Sequence, residues 1–159
     1  MVEDDLELVL AWRNHPEVRR HMFTRDEIAP ADHRRWFDRQ SRDPQRHLLV
    51  YEIDAVPRGF VGLTADASGV FDWGFYVAPG SPRGTGRGLG ATALDHAFGS
   101  LGAHKVYGEV LGDNLRSIRF HEGLGFHREG LLREHHFDGA RYHDVACFGL
   151  LRGEWQSPA

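Results

Sequence analysis

Apolar residues along this chain change period several times, and each change predicts an element. Leu6, Val9 and Leu10 recur at helical spacing behind Asp4 and Asp5, whose carboxylates suit a helix N-terminus, so a helix begins near Leu6 with Arg13 on the same face. Pro16 ends that helix or starts a second short one, because the residue before proline avoids the α region. Residues 30–42 predict a further helix, with Pro30 in its first turn and Trp36 and Phe37 toward the core. The period then shortens. Residues 47–53 read as a strand, 54–58 as its turn, 59–64 as the strand that pairs back and 70–77 as a third. A helix is expected over 88–101, a strand over 104–111, and a helix over 115–124 that ends at Gly125, a natural C-cap. Strands over 129–137 and 142–151 flank Asp138-Gly139, a two-residue hairpin signal. The order ααβββαβαββ predicts an α/β (α+β) fold around a central sheet.

Length and composition narrow the class. A chain of 159 residues is expected to form one domain, 1–159, with its own core. No apolar run is long enough to span a membrane, the acidic start is the opposite of a signal peptide, and Cys147 alone excludes an internal disulfide; a cytoplasmic protein is expected. The formal net charge of −4 argues against nucleic acid as a partner. The 11 histidines are scattered. His135, His136 and His143 could converge across a hairpin, but no metal-ligand spacing is present and no metal is expected.

The chemistry is concentrated between the third strand and the helix after it. Pro79 to Gly90 is a glycine-rich stretch in strand–turn–helix order. Glycines let backbone N–H groups close on an anion, the helix N-terminus adds its positive dipole end, and Arg83 and Arg87 add charges that suit phosphate oxygens. A P-loop needs Gly-Lys-Ser/Thr, which is absent. A dinucleotide fingerprint fails because Gly84-Thr85-Gly86 is followed by Leu89 where a third glycine belongs. The spacing that fits is Arg-x-x-Gly-x-Gly, at Arg83, Gly86 and Gly88. It resembles the pyrophosphate loop of the GCN5-related N-acetyltransferase (GNAT) superfamily, which binds acetyl-coenzyme A. A flexible surface turn is the plain alternative.

A second signature follows about thirty residues later. Asn114, Ser117, Ile118, Gly125 and Phe126 resemble the superfamily pattern N-x-x-[SA]-I-x-x-[YF]-x-x-x-G-F, with His121 at the aromatic position. The resemblance implies a mostly antiparallel mixed sheet with splayed middle strands, flanking helices and, here, a first strand reduced or missing. It implies acetyl-coenzyme A as co-substrate, held by Val77, Arg83, Gly84, Thr85, Gly86, Arg87, Gly88, Asn114 and Ser117. Trp12-Arg13-Asn14-His15-Pro16, Met22-Phe23, His33 with Trp36-Phe37, and Asp72-Trp73-Gly74-Phe75-Tyr76 resemble a narrower group. These are the UDP-4-amino-4,6-dideoxy-N-acetyl-β-L-altrosamine N-acetyltransferases of pseudaminic acid biosynthesis. By that resemblance Arg13, Met22 and His33 hold a UDP-amino sugar. Core packing for Met22 and Trp36 and a helix-end role for Arg13 are the plain alternatives. A homodimer and a monomer both stay open.

Amine attack on a thioester needs a free lone pair, a stabilised oxyanion and a proton for the thiolate. By resemblance, a backbone N–H near Val77 serves the oxyanion. Glu109, five residues before Asn114, matches the base of ribosomal-protein-type relatives; Asp72 is a second base or a substrate contact. Asn114 orients the pantetheine arm and caps its helix, and His121 is expected to protonate the leaving sulfur. Two other readings remain: an acetyltransferase for a peptide N-terminus or polyamine, and a non-catalytic acyl-coenzyme A-binding module.

Overall fold

The computed structural model describes residues 1–158. A 3-10 turn, Glu3–Asp5, leads into α1 (Leu6–Asn14), α2 (Pro16–Arg19) and α3 (Pro30–Gln40). His15, extended at ψ 134, separates α1 from α2, and its Nδ1 accepts from the Glu17 amide at 3.3 Å, so Pro16 opens a new helix. Asp5 does not cap α1; its carboxylate accepts from the Val2 amide at 2.6 Å.

Strands β1 (Arg46–Ile53), β2 (Val56–Ala65) and β3 (Val70–Val77) form an antiparallel meander. The β1–β2 turn is two residues, Asp54 and Ala55, at φ 51 and 61, shorter than the five-residue turn expected. Positive φ at both positions matches the twist of the flanking strands. Helix α4 (Thr85–Asp95) runs on through a π turn, His96–Ser100, into β4 (Lys105–Leu111), then α5 (Leu115–Gly123), β5 (His127–Phe137) and β6 (Tyr142–Leu151). The sheet order is β1-β2-β3-β4-β6-β5. At the outer edge the Met1 ammonium donates to Leu48 O on β1 at 2.9 Å. The β5–β6 connection is four residues, not two: Asp138 N donates to Arg141 O, and Asp138 Oδ1 accepts from Ala140 and Arg141 amides, so the side chain closes the loop.

Period-2 alternation gives the sheet two faces. Val61, Leu63, Phe71, Trp73, Val106, Val110, Ala146, Phe148 and Leu150 lie on the first, sealed by Leu89, Ala93, Leu94, Ala97 and Phe98 of α4 and its extension. On the second face Phe60, Leu48, Val50 and Tyr76 pack with Val9 and Trp12 of α1 and Trp36 of α3. That cover stops short of β4 and β6.

Among the described residues one strand pair is parallel. β3 and β4 align for three residues, Val70↔Lys105, Phe71↔Val106 and Asp72↔Tyr107, and then diverge. The sheet is therefore split along its middle from Trp73 onward. The expected mixed, mostly antiparallel sheet with splayed middle strands is the one observed.

Candidate active site

The split exposes backbone that a continuous sheet would consume. Ala78 donates to Arg58 O and Asp66 to Val70 O at 2.8 and 2.9 Å, so the even-numbered residues of β3 bond to β2. The odd-numbered ones point the other way. Below Asp72 that side is β4; beyond it is the gap, so the N–H and C=O groups of Phe75 and Val77 face the opening.

The first turn of α4 closes one end of the gap. Gly84, at φ 89, turns the chain into the helix. The amides of Gly86 and Arg87 find no backbone acceptor among the described residues, and neither Arg83 nor Arg87, both exposed, has a carboxylate partner there. Free N–H groups, a helix N-terminus and two unpaired guanidinium groups suit a pyrophosphate.

The helix starts at Thr85, three residues earlier than the glycines suggest, and this reassigns several of them. Thr85 is buried and bonds back to Pro82 O through both its amide (3.3 Å) and its hydroxyl (2.8 Å). Gly88 has its amide tied to Gly84 O at 3.1 Å, and a Cβ there would stand 2.5 Å from the Tyr51 hydroxyl. A Cβ on Gly90 would meet Leu124 and Phe120 at 2.6 and 2.7 Å. Thr85 closes the turn, Gly88 lets α4 seat against Tyr51 of β1, and Gly90 lets it seat against Phe120 of α5 and Leu124.

The second signature places Asn114 at the N-cap of α5, its Oδ1 accepting from Ser117 N at 3.1 Å, with its amide N–H₂ left to donate. His121 is not where a thiolate's proton donor has to be. It is 2 % exposed, ringed by Trp73, Phe75, Phe120, Phe126 and Phe148. Its Nδ1 lies 2.8 Å from Ser117 O and its Nε2 3.2 Å from Trp73 Nε1. Both partners have settled roles: the carbonyl accepts and the indole donates, which leaves the neutral Nδ1–H tautomer and no free nitrogen. Burial lowers its pKa, the Ser117 hydrogen bond acting the other way. His121 is a core histidine, and its expected role as the acid is withdrawn.

On the second face the cleft has two poles. Asp72 on β3 and Tyr107 on β4 are register partners, and Glu109 is opposite Cys147 of β6. These four side chains form the floor, with Tyr107 Oη donating to Glu109 Oε1 at 2.9 Å. Desolvation, then the like charge of Glu109, raises the Asp72 carboxyl above its ordinary pKa, Arg46 acting against them. Arg13, at the end of α1, forms the other pole beside Tyr76 and His33. Desolvation there raises the Tyr76 phenol, lowers the guanidinium of Arg13 and, together with the charge of Arg13, lowers His33. Arg13 Nη2 donates to Thr24 O at 2.7 Å; its Nη1 is buried without a partner among the described residues. His33 is 5 % exposed and stacks on Trp36 at 5.1 Å. Met22 is half-buried in the turn after α2.

The segment 20–29 walls this cleft. Asn14 clamps Ile28 with two bonds, 2.8 and 2.9 Å; Arg25 pairs with Asp138 at 3.2 Å; Phe23 meets His136 edge-on at 5.1 Å. His136 Nε2 is the other buried side-chain atom without a partner among the described residues. The third histidine, His143, is buried between carboxylates, its Nε2 2.6 Å from Asp138 and its Nδ1 3.2 Å from Asp113. Tyr76, Tyr107 and Arg46 were missed from the sequence, although the i, i+2 spacing of Tyr107 and Glu109 on one strand was a usable signal.

A family profile described as "Acetyltransferase (GNAT) domain" matches residues 1–127. The chain belongs to the GNAT acetyltransferase family. An uncharacterized prophage-derived N-acetyltransferase, YokL, of Bacillus subtilis is 33% identical over 131 residues, 77% of this chain and 71% of that one. Acetyltransferase PseH of Campylobacter jejuni is 25% identical over 121 residues, 74% of each. The crystal structure of Vibrio cholerae spermidine N-acetyltransferase in complex with CoA and spermine superimposes with a TM-score of 0.89 at 23% identity, covering 97% of this chain and 94% of that one. This chain is a GNAT-family N-acetyltransferase that uses acetyl-coenzyme A. No described helix is long and apolar enough to cross a membrane.

Proposed function

We propose that the acceptor is the amine of a UDP-linked amino sugar, acetylated by direct transfer in a ternary complex. The polarity of the cleft carries this reading. Carboxylates stand at one pole and a buried, unpartnered guanidinium nitrogen at the other. Tyr76, beside Arg13, is four residues along β3 from Asp72, about 13 Å at strand rise. An amine arriving as ammonium is drawn to Asp72 and Glu109, while a diphosphate or uracil oxygen meets Arg13, with His33 and Met22 alongside. A polyamine is cationic along its whole length and meets a like charge at Arg13.

In this reading the amides of Gly86 and Arg87, with Arg83 and Arg87, hold the coenzyme pyrophosphate. Gly84 shapes the turn, and Asn114 and Ser117 flank the pantetheine arm. The β3 backbone at Phe75 and Val77 lines the arm and thioester. Glu109 takes a proton from the ammonium, directly or through water; the freed lone pair forms the C–N bond. The Val77 N–H supports the oxyanion; loss of one such donor costs on the order of 3 kcal/mol in other enzymes. The C–S bond then breaks. The thiolate takes its proton from water or from the newly acetylated nitrogen, since the one N–H of His121 is committed to Ser117 O.

The test is acetyl transfer to UDP-4-amino-4,6-dideoxy-N-acetyl-β-L-altrosamine, spermidine and a peptide N-terminus. The nucleotide sugar is expected to turn over fastest. Arg13→Ala should raise its KM roughly 10- to 100-fold, the scale of a hydrogen bond to a charged group, with the KM for acetyl-coenzyme A unchanged. Faster transfer to spermidine or the peptide overturns the sugar assignment. A polyamine acceptor draws support from the same two floor carboxylates.

A further inference from the structure

We propose that Tyr107 is a positioning residue, whose phenol holds the Glu109 carboxylate in the orientation that receives the proton of the incoming amine. This rests on the reading of Glu109 as the base. Lys105, Tyr107 and Glu109 alternate onto the same side of β4, the side that α1 and α3 leave uncovered. Glu109 is exposed and has three rotatable bonds, so nothing in its own packing fixes the carboxylate. Tyr107 is half-buried, and its hydroxyl donates to Glu109 Oε1 at 2.9 Å. The lysine beside it is not free to compete: Lys105 Nζ is bound to Glu129 Oε2 at 2.6 Å.

Its register partner on β6 is Gly149, and the space over that glycine is filled by the Lys105–Glu129 pair. On the other side its partner is Asp72, the last residue before β3 and β4 part, so the phenol stands where the split begins. Glu109 is two residues further along β4, in the divergent part. Tyr107 thus ties an exposed carboxylate, on the stretch of β4 that has parted from β3, to the last stretch where those two strands pair. The charged and titratable groups around Glu109 are Asp72 with Arg46 from the β3 and β1 side, Cys147 on β6, and the Lys105–Glu129 pair. Desolvation and hydrogen bonding to Cys147 and Glu109 raise the phenol pKa, so Tyr107 remains a donor wherever the enzyme works.

The experiment is a double-variant cycle of Tyr107→Phe and Glu109→Gln, measured with whichever of the UDP-amino sugar and spermidine the wild type acetylates. Loss of the phenol should lower kcat by roughly 3- to 10-fold, the scale of one hydrogen bond, with the KM for acetyl-coenzyme A unchanged. In the Glu109→Gln background the same change should cost little further, because the group it positions is gone. A loss of equal size in both backgrounds, or no loss in Tyr107→Phe alone, overturns the positioning role while a low residual rate in Glu109→Gln keeps the base. Undiminished kcat in Glu109→Gln removes the base itself, and the positioning role with it.

Discussion

At the scale of single residues, His121 shows how position in a motif and position in space part company. The spacing from Asn114 sets it where relatives carry an aromatic residue, and that aromatic environment is what it meets: four phenylalanines and Trp73. A Cβ on Gly108 would stand 2.7 Å from Trp73 Nε1 and 3.0 Å from His121 Nε2, so the indole–imidazole bond lies directly over this glycine. His121→Phe should leave the buried indole N–H without an acceptor, a loss of about 1–3 kcal/mol. Tm should fall by about 2–10 °C in thermal melts, with kcat per folded molecule changed less than threefold. The pH dependence has a definite sign. The folded pKa of His121 is depressed, so the unfolded chain binds the proton first as pH drops below about 6.5. The histidine's stabilising contribution is complete above that pH and is lost in acid, so the Tm gap between wild type and variant should narrow from pH 8 to pH 5.

Among the elements, α4 carries the most information. Its glycines were legible as an anion-binding stretch because their spacing and the flanking arginines are local. That Gly88 and Gly90 exist for packing was not, because Tyr51, Phe120 and Leu124 come from other parts of the chain. Gly88→Ala should destabilise the protein by about 1–3 kcal/mol despite the better helix propensity of alanine, since the new methyl meets the Tyr51 hydroxyl at 2.5 Å. Without that hydroxyl the nearest ring carbon is 3.4 Å away, so Tyr51→Phe in the same chain should recover most of the loss. Equal denaturation midpoints for the single and double variants would exclude the clash. The β5–β6 hairpin makes the same point: Asp138-Gly139 was read as a two-residue turn, and the Asp138 side chain, bonded to two amides and facing Arg25 and His143, makes a four-residue loop better satisfied.

For the molecule as a whole, the split between β3 and β4 governs what the protein can do. It frees the backbone of Phe75 and Val77 on one line and opens a cleft floor of carboxylates beside it. Asp72 sits at the apex, exposed to the cleft, where desolvation and the like charge of Glu109 raise its pKa. A carboxyl with a raised folded pKa stabilises the fold only while protonated, and that contribution is lost as pH rises through the folded value. Because the side chain is exposed and screened by solvent, Asp72→Asn should raise Tm by no more than about 1 °C at pH 7 and by less at pH 4, while weakening acetyl transfer. A lower Tm at pH 7 would show that Asp72 contributes to the fold.

What the sequence determined by itself was whatever short-range physics decides. The βββαβαββ order behind the N-terminal helices, the strand–turn–helix with its arginines and the Asn114 cap all follow from spacing within about a dozen residues, and the split sheet follows from the resemblance those motifs carry. Tertiary structure alone decided which side chains meet. Arg13, Tyr76 and His33 come from α1, β3 and α3; Asp72, Tyr107 and Cys147 come from three strands brought into register. His121 became core rather than catalyst for the same reason. Burial and the loss of a free nitrogen are properties of its neighbours, Trp73 and Ser117, and pairing over 48 positions of chain is invisible until the sheet and α5 have packed.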